Sequence, residues 1–156
     1  MNHDDPTQEE PAEHLRFWDY LRELEQVAEA DEVGLVAEVL TDPVQEMAQS
    51  AVLRHLDRRA ADLHPEPAYE PWVEKMTQAT TRYPRLTRRL HDWSFFRAIT
   101  LRQPWSPDAL HDSSDWLQLK TASASNTTAL ELLAEAGRTN RIRNTAKTSL
   151  KHQSER

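Results

Sequence analysis

Gly34 and Gly137 are the only glycines in 156 residues. A β-rich chain needs glycine at many of its tight turns, and a nucleotide-binding α/β fold needs it where backbone approaches phosphate. Two glycines serve neither. The nine prolines fall between stretches dominated by Ala, Leu, Glu, Arg and Gln, all strong helix formers. The spacing of apolar residues in those stretches follows the helical period. An all-α chain of about seven to nine helices is predicted.

The helices read off the sequence begin with residues 12–30, where Leu15, Trp18, Leu21, Leu24 and Ala28 form an apolar stripe widened by Phe17 and Tyr20. A short helix follows over 32–40, with Asp31 as its cap. Thr41-Asp42-Pro43 is a start signal for a helix reaching residue 63, its stripe being Val44, Met47, Ala48, Ala51, Val52 and Leu56. Further helices are expected with Pro71 in a first turn, over 85–102, around Ala109 and Leu110, over 115–124 and 129–136, and from Asn140 to about residue 150. Gly137 is expected to end its helix in the left-handed conformation. Residues 1–11 read as a disordered acidic tail, 12–150 as a single helical domain and 151–156 as a frayed end. Of the five tryptophans, most are expected in the core, and Trp105, between prolines, as a partly exposed anchor for a partner.

Charge is strongly polarised. Residues 1–80 carry 19 acidic and 6 basic side chains, whereas 81–156 carry 7 and 13. Such asymmetry bears on partners rather than on fold. Arg82, Arg85 and Arg89 are spaced to share a helix face. Arg138, Arg141, Arg143 and Lys147 form a second basic group. Together with Trp105 these are the candidate binding residues, for a protein surface or for an anion. Two readings stand side by side: an anion-binding face, and a solvated face that pairs with the acidic half of this chain or of a neighbour.

Two stretches look like related units. VAEVLTDPVQEMAQSAVL over residues 36–53 and ALELLAEAGRTNRIRNTAK over 129–147 each read as helix, polar turn, and a second helix with small residues inside. SPDAL at 106–110 with WLQLKTA at 116–122 looks like a further one, with a different internal spacing. This pattern resembles HEAT-type and leucine-rich-variant helical repeats over about half of the chain. The resemblance implies a short α-solenoid whose stacked inner helices bind a protein partner. A non-repeating, irregular helical bundle is the alternative, and residues 72–105 fit the repeat poorly. Some HEAT-like proteins, among them a class of alkylpurine DNA glycosylases, hold DNA in a basic groove. The resemblance therefore implies nucleic acid as the alternative partner, although their catalytic residues have no counterparts here.

Chemistry-bearing motifs are sparse. There are no cysteines, so disulfides and thiolate zinc sites are excluded. None of the seven histidines lies in a His-Glu-x-x-His pattern, and no phosphate-binding glycine loop or calcium loop occurs. No metal or cofactor is expected. His111, Asp112, Ser113, Ser114 and Asp115 include the residue types of a hydrolase, but Ser and Asp before a helix ordinarily cap it. No apolar run is long enough to cross a bilayer, and the acidic, polar start is unlike a secretory signal. The expectation is a non-enzymatic, cytoplasmic interaction protein, with self-association of acidic on basic halves as one variant.

Overall fold

The structure is a computed structural model that describes residues 12–155. Among these residues there are nine α-helices, one 3-10 helix and no strand. The tail expected at 1–11 lies outside the described residues. Within the stretch read above as one domain, the described residues group into two compact units, one of 12–63 with 68–90 and one of 64–67 with 91–155.

The first unit contains α1 (Ala12–Gln26), a 3-10 helix (Glu29–Asp31), α2 (Glu32–Val39), α3 (Gln45–Leu63), α4 (Tyr69–Ala79) and the first turns of α5 (Pro84–Thr100). In α3, Ala48, Ala51, Val52, Leu56 and Ala60 repeat at helical spacing and are all fully buried. The alanines let neighbouring helices come close. α1 packs against α3, and α2 packs against α1, α3 and α4. Tyr69, Trp72, Met76, Leu86 and Leu90 complete the core. Burial of each large side chain contributes about 1.5–3 kcal/mol.

The second unit contains the later turns of α5, then α6 (Pro107–His111), α7 (Asp115–Ala122), α8 (Thr127–Ala136) and α9 (Asn140–Ser154). Its core joins Ile99, Leu110, Ala122, Ala129, Leu130, Leu133, Ile142 and Ala146. α8 packs on α9, and α7 packs on both. Each of these helices is started by a side chain that accepts a hydrogen bond from a first-turn N–H. Ser106 caps α6, Ser114 caps α7, Asn126 caps α8 and Thr139 caps α9. Gln118 is buried and fully bonded: Nε2 donates to the carbonyls of Leu110 and His111, and Oε1 accepts from the Arg138 N–H. That one amide ties α6, α7 and the α8–α9 turn together.

Several local expectations are corrected. α1 stops at Gln26, and residues 29–31 form a separate 3-10 turn. Asp31 makes no capping bond. α5 ends in a Schellman turn, with Gln103 N–H bonded to the Ala98 carbonyl and Arg102 N–H to that of Ile99. Arg102 takes the left-handed position, at φ 57°, which glycine ordinarily fills. α9 continues to Ser154 where fraying was expected from residue 151. There Gln153 donates to the Ser125 carbonyl and accepts from the Thr127 hydroxyl. Of the stretches read as related repeats, 36–53 lies in the first compact unit, and 106–122 and 129–147 both lie in the second.

Gly137 has φ −56° and ψ 142°, so it is not a left-handed terminator. It is glycine because of close approach. A Cβ there would lie 2.6 Å from the Leu133 carbonyl oxygen and 2.7 Å from Ile142 Cγ2. Gly34, inside α2, has nothing within 4 Å of the same position. Opposite outcomes are expected from one kind of substitution. Gly137→Ala lowers stability by about 1–3 kcal/mol through overpacking. Gly34→Ala raises it by up to about 1 kcal/mol through helix propensity. Urea denaturation of both variants checks the pair of signs.

Candidate functional site

Two carboxylates organise the first unit from within. Glu32, 2% exposed, accepts from His55 Nε2 at 2.7 Å, from Arg59 Nε at 2.9 Å and Nη2 at 3.1 Å, and from Trp72 Nε1 at 3.2 Å. Arg58 Nη2 lies 2.9 Å from His55 Nδ1. A guanidinium only donates, so Nδ1 is the acceptor and Nε2 carries the hydrogen that points at Glu32. Burial pushes the Glu32 carboxyl up, but the bonds from His55, Arg59 and Trp72 and the charge of Arg59 outweigh it. The net effect takes Glu32 from 4.5 to about 2.

Asp42 is the second centre. Arg16 donates to both of its oxygens, at 2.8 and 3.2 Å, the Tyr20 hydroxyl donates at 2.7 Å and the Val44 N–H at 2.9 Å. The Arg16 bond, then those of Val44 and Tyr20, lower its carboxyl from 3.8 to about 2. Asp42 was read as part of a helix-start signal. It does hold the Val44 N–H, but its main work is to hold α1.

These contacts set which way α1 faces. Arg16, Tyr20 and Leu24 recur every four residues and point inward, to Asp42 and the core. Leu15 and Trp18, both expected in the core stripe, point outward and are each 54% exposed. Two grooves flank Trp18. One, of about 710 Å³, is lined by Leu15, Trp18, Leu21 and Leu24 with Arg22, Glu25, Arg54, His55 and Arg58. The other, of about 470 Å³, is lined by Glu13, His14, Phe17, Trp18, Val44, Glu46, Met47 and Ser50. An exposed apolar strip with concave flanks is what a docking surface offers a partner.

The residues singled out from sequence are distributed otherwise. Arg82 and Arg85 are exposed in the first unit. Arg89 forms an ion pair with Asp57, an acidic residue of the same unit. Arg138 binds Asp115 and the carbonyls of His111 and Ser113. Arg143 donates to the Gly137 carbonyl and to Asn140. Arg141 and Lys147 are exposed on α9. Trp105, expected as a partly exposed anchor, is half-buried: it packs against the second core and meets Phe95 edge-on, with ring centroids 6.4 Å apart. The structure thus spends Arg89, Arg138 and Arg143 on internal contacts. Sequence reasoning missed Trp18 and the arginines near it, Arg54 and Arg58, because a stripe of Leu and Trp reads as core.

The His111 to Asp115 cluster does not assemble into a relay. Ser114 caps α7 and donates to Asp92, while Asp115 pairs with Arg138. Among the described residues the His111 ring bonds neither serine. A separate aromatic cluster surrounds Lys120, whose Nζ lies 4.6 Å from the Trp93 ring centroid, 5.0 Å from that of Phe96 and 5.7 Å from that of Trp116. His64 leans on Trp93 and Phe96. This ammonium is thus enclosed by Trp93, Phe96 and Trp116 of its own unit. No helix of the described residues is long and apolar enough to cross a membrane. Comparison with protein-family models, curated proteins and solved structures finds no match to this chain.

Both carboxylates have folded-state pKa values below their ordinary ones. Their stabilisation is therefore complete above about pH 4.5 and is lost as pH falls towards 2. The melting temperature is expected to drop across that window. Glu32→Gln is expected to lower stability at neutral pH by about 3 kcal/mol, since Arg59 loses its charged partner, and to flatten the fall below pH 4.5. Thermal denaturation followed by circular dichroism from pH 7 to pH 2 measures both effects.

Proposed function

We propose that this chain is a protein-interaction module, and that the outward face of α1 docks a helical segment of a partner protein. One observation carries the reading: Leu15 and Trp18 are each 54% exposed on a helix held to its unit by Arg16, Tyr20 and Leu24. The exposed strip continues through Arg22 and Glu25, ten residues on from Leu15. At 1.5 Å per residue it is about 15 Å long. That matches three turns of a partner helix presenting anchors at i, i+3 or i+4, and i+7. Tryptophan at the centre of such a strip, walled by both grooves, is the residue type that dominates interface energetics. The proposal needs no repeat relationship among the helices. It moves the expected binding surface from the basic second half to α1.

Trp18→Ser tests it. An exposed substitution is expected to change stability by no more than about 0.5 kcal/mol, while affinity for the partner falls by at least about ten-fold. The partner is identified by photo-crosslinking from position 15, and binding is then measured by calorimetry with the wild type and the variant. Random-sequence duplex DNA serves as the control ligand. Equal partner affinity in the two proteins, DNA binding that Trp18→Ser weakens, or a wild-type dimer that the variant dissolves in sedimentation would each overturn the reading.

A further inference from the structure

The groove beside Trp18 is not neutral. Residues 1–80 contain six cations, Arg16, Arg22, Arg54, Arg58, Arg59 and Lys75, among 19 carboxylates. Arg16, Arg22 and Arg59 take carboxylate partners in Asp42, Asp19 and Glu32. Arg54 and Arg58 do not pair with a carboxylate among the described residues, although acids outnumber bases about threefold in this stretch. Arg54 lies on the Phe17 ring, 5.9 Å from its centroid. Arg58 gives Nη2 to two neutral acceptors, His55 Nδ1 at 2.9 Å and the Leu24 carbonyl at 3.4 Å. Among the described residues its Nε and Nη1 hydrogens take no acceptor, which leaves them for another. Both side chains line the same apolar groove as Leu15, Trp18 and Leu21.

We infer that this groove takes an acidic amphipathic helix, with apolar anchors on Leu15, Trp18 and Leu21 and carboxylates beside them on Arg54 and Arg58. The inference rests on reading α1 as the docking face and adds the partner's chemistry. Aspartate or glutamate flanking the anchors would complete guanidinium–carboxylate pairs at the edge of a desolvated apolar contact, where such bonds are strongest. The surrounding acidic residues limit how much negative charge the partner carries overall. Screening over about 8 Å at physiological salt lets contact pairs act while more distant carboxylates are muted. A few well-placed acids fit this site, and a polyanion does not. Glu25, which lines the same groove, adds a repulsive element against acids placed away from the arginines.

Three fluorescein-labelled amphipathic peptides of one length and one leucine stripe test this, with flanking positions occupied by Glu, Gln or Lys. Fluorescence anisotropy with the whole protein is expected to rank Glu above Gln above Lys, with about ten-fold or more between the extremes. Arg54→Glu with Arg58→Glu is expected to reverse that order. Arg54→Glu alone, which leaves the His55 contact untouched, is expected to narrow the gap. Circular dichroism melting confirms that each variant is folded. Equal binding of all three peptides, or a preference for Lys, overturns the acidic inference and leaves the docking face standing if Trp18→Ser still weakens binding. No binding by any peptide overturns the acidic inference as well. A partner crosslinked from position 15 would then show that the docking face itself survives, and the absence of such a partner would remove both.

Discussion

Asp42 determines which side of α1 meets solvent. Its two oxygens take Arg16 and Tyr20, one helical turn apart, and Leu24 one turn further on enters the core. A helix advances 100° per residue, so fixing positions 16, 20 and 24 inward places 15, 18, 22 and 25 on the opposite side. Leu24 is fully buried and Phe17 and Leu21 are half-buried on the flank that this orientation turns inward, so apolar packing and the bidentate, partly buried ion pair act together. Because Asp42 sits between α2 and α3, the same carboxylate also shapes the turn that feeds α3 through the Val44 N–H. The outward strip and the grooves beside Trp18 follow from that one anchor.

Glu32 plays the corresponding part deeper in the unit. It draws His55, Arg59 and Trp72 from two other helices onto one side chain at the start of α2. A buried carboxylate is stable only when its lone pairs are used, and here four N–H groups use them. Arg58 extends the network through His55 to the floor of the α1 groove. The groove wall is therefore backed by a hydrogen-bonded polar cluster that runs from Glu32 through His55 to Arg58.

The helices were legible because their signals are local. Pro71, Ser114 and the apolar spacing of α3 act within a few residues of themselves, and the structure follows them. What was not legible depends on distant residues. Glu32 and His55 are 23 positions apart and Arg16 and Asp42 are 26 apart, and neither pair has a spacing that marks it. Gly137 was legible as a turn residue but not for its reason, which is the crowding of Leu133 and Ile142. The stripe on α1 failed in a more instructive way. Leucine and tryptophan at helical spacing describe an apolar face equally well whether it meets a core or a partner. Only the position of Asp42 separates the two cases. The arginines behaved likewise: the sequence shows their number, but Arg89 and Arg138 pair with carboxylates, whereas Arg54 and Arg58 take no carboxylate among the described residues.

The exposed strip runs against the economy of the rest of the molecule. The chain is polar, with a mean hydropathy of −0.80, and most of its large apolar side chains are buried. Covering Leu15 and Trp18 would yield up to about 1.5–3 kcal/mol for each fully buried side chain, a sizeable share of the net stability of a small protein. In the isolated chain that free energy is forgone, because the ion pair on the inner side of α1 keeps both residues outward. A partner that covers the strip recovers it without disturbing Asp42. Under the docking proposed for α1, the contact would also leave Glu32 and its ligands in place, so little reorganisation would oppose binding. On that reading an apolar face held open by a charge anchor is prepared for association before a partner arrives.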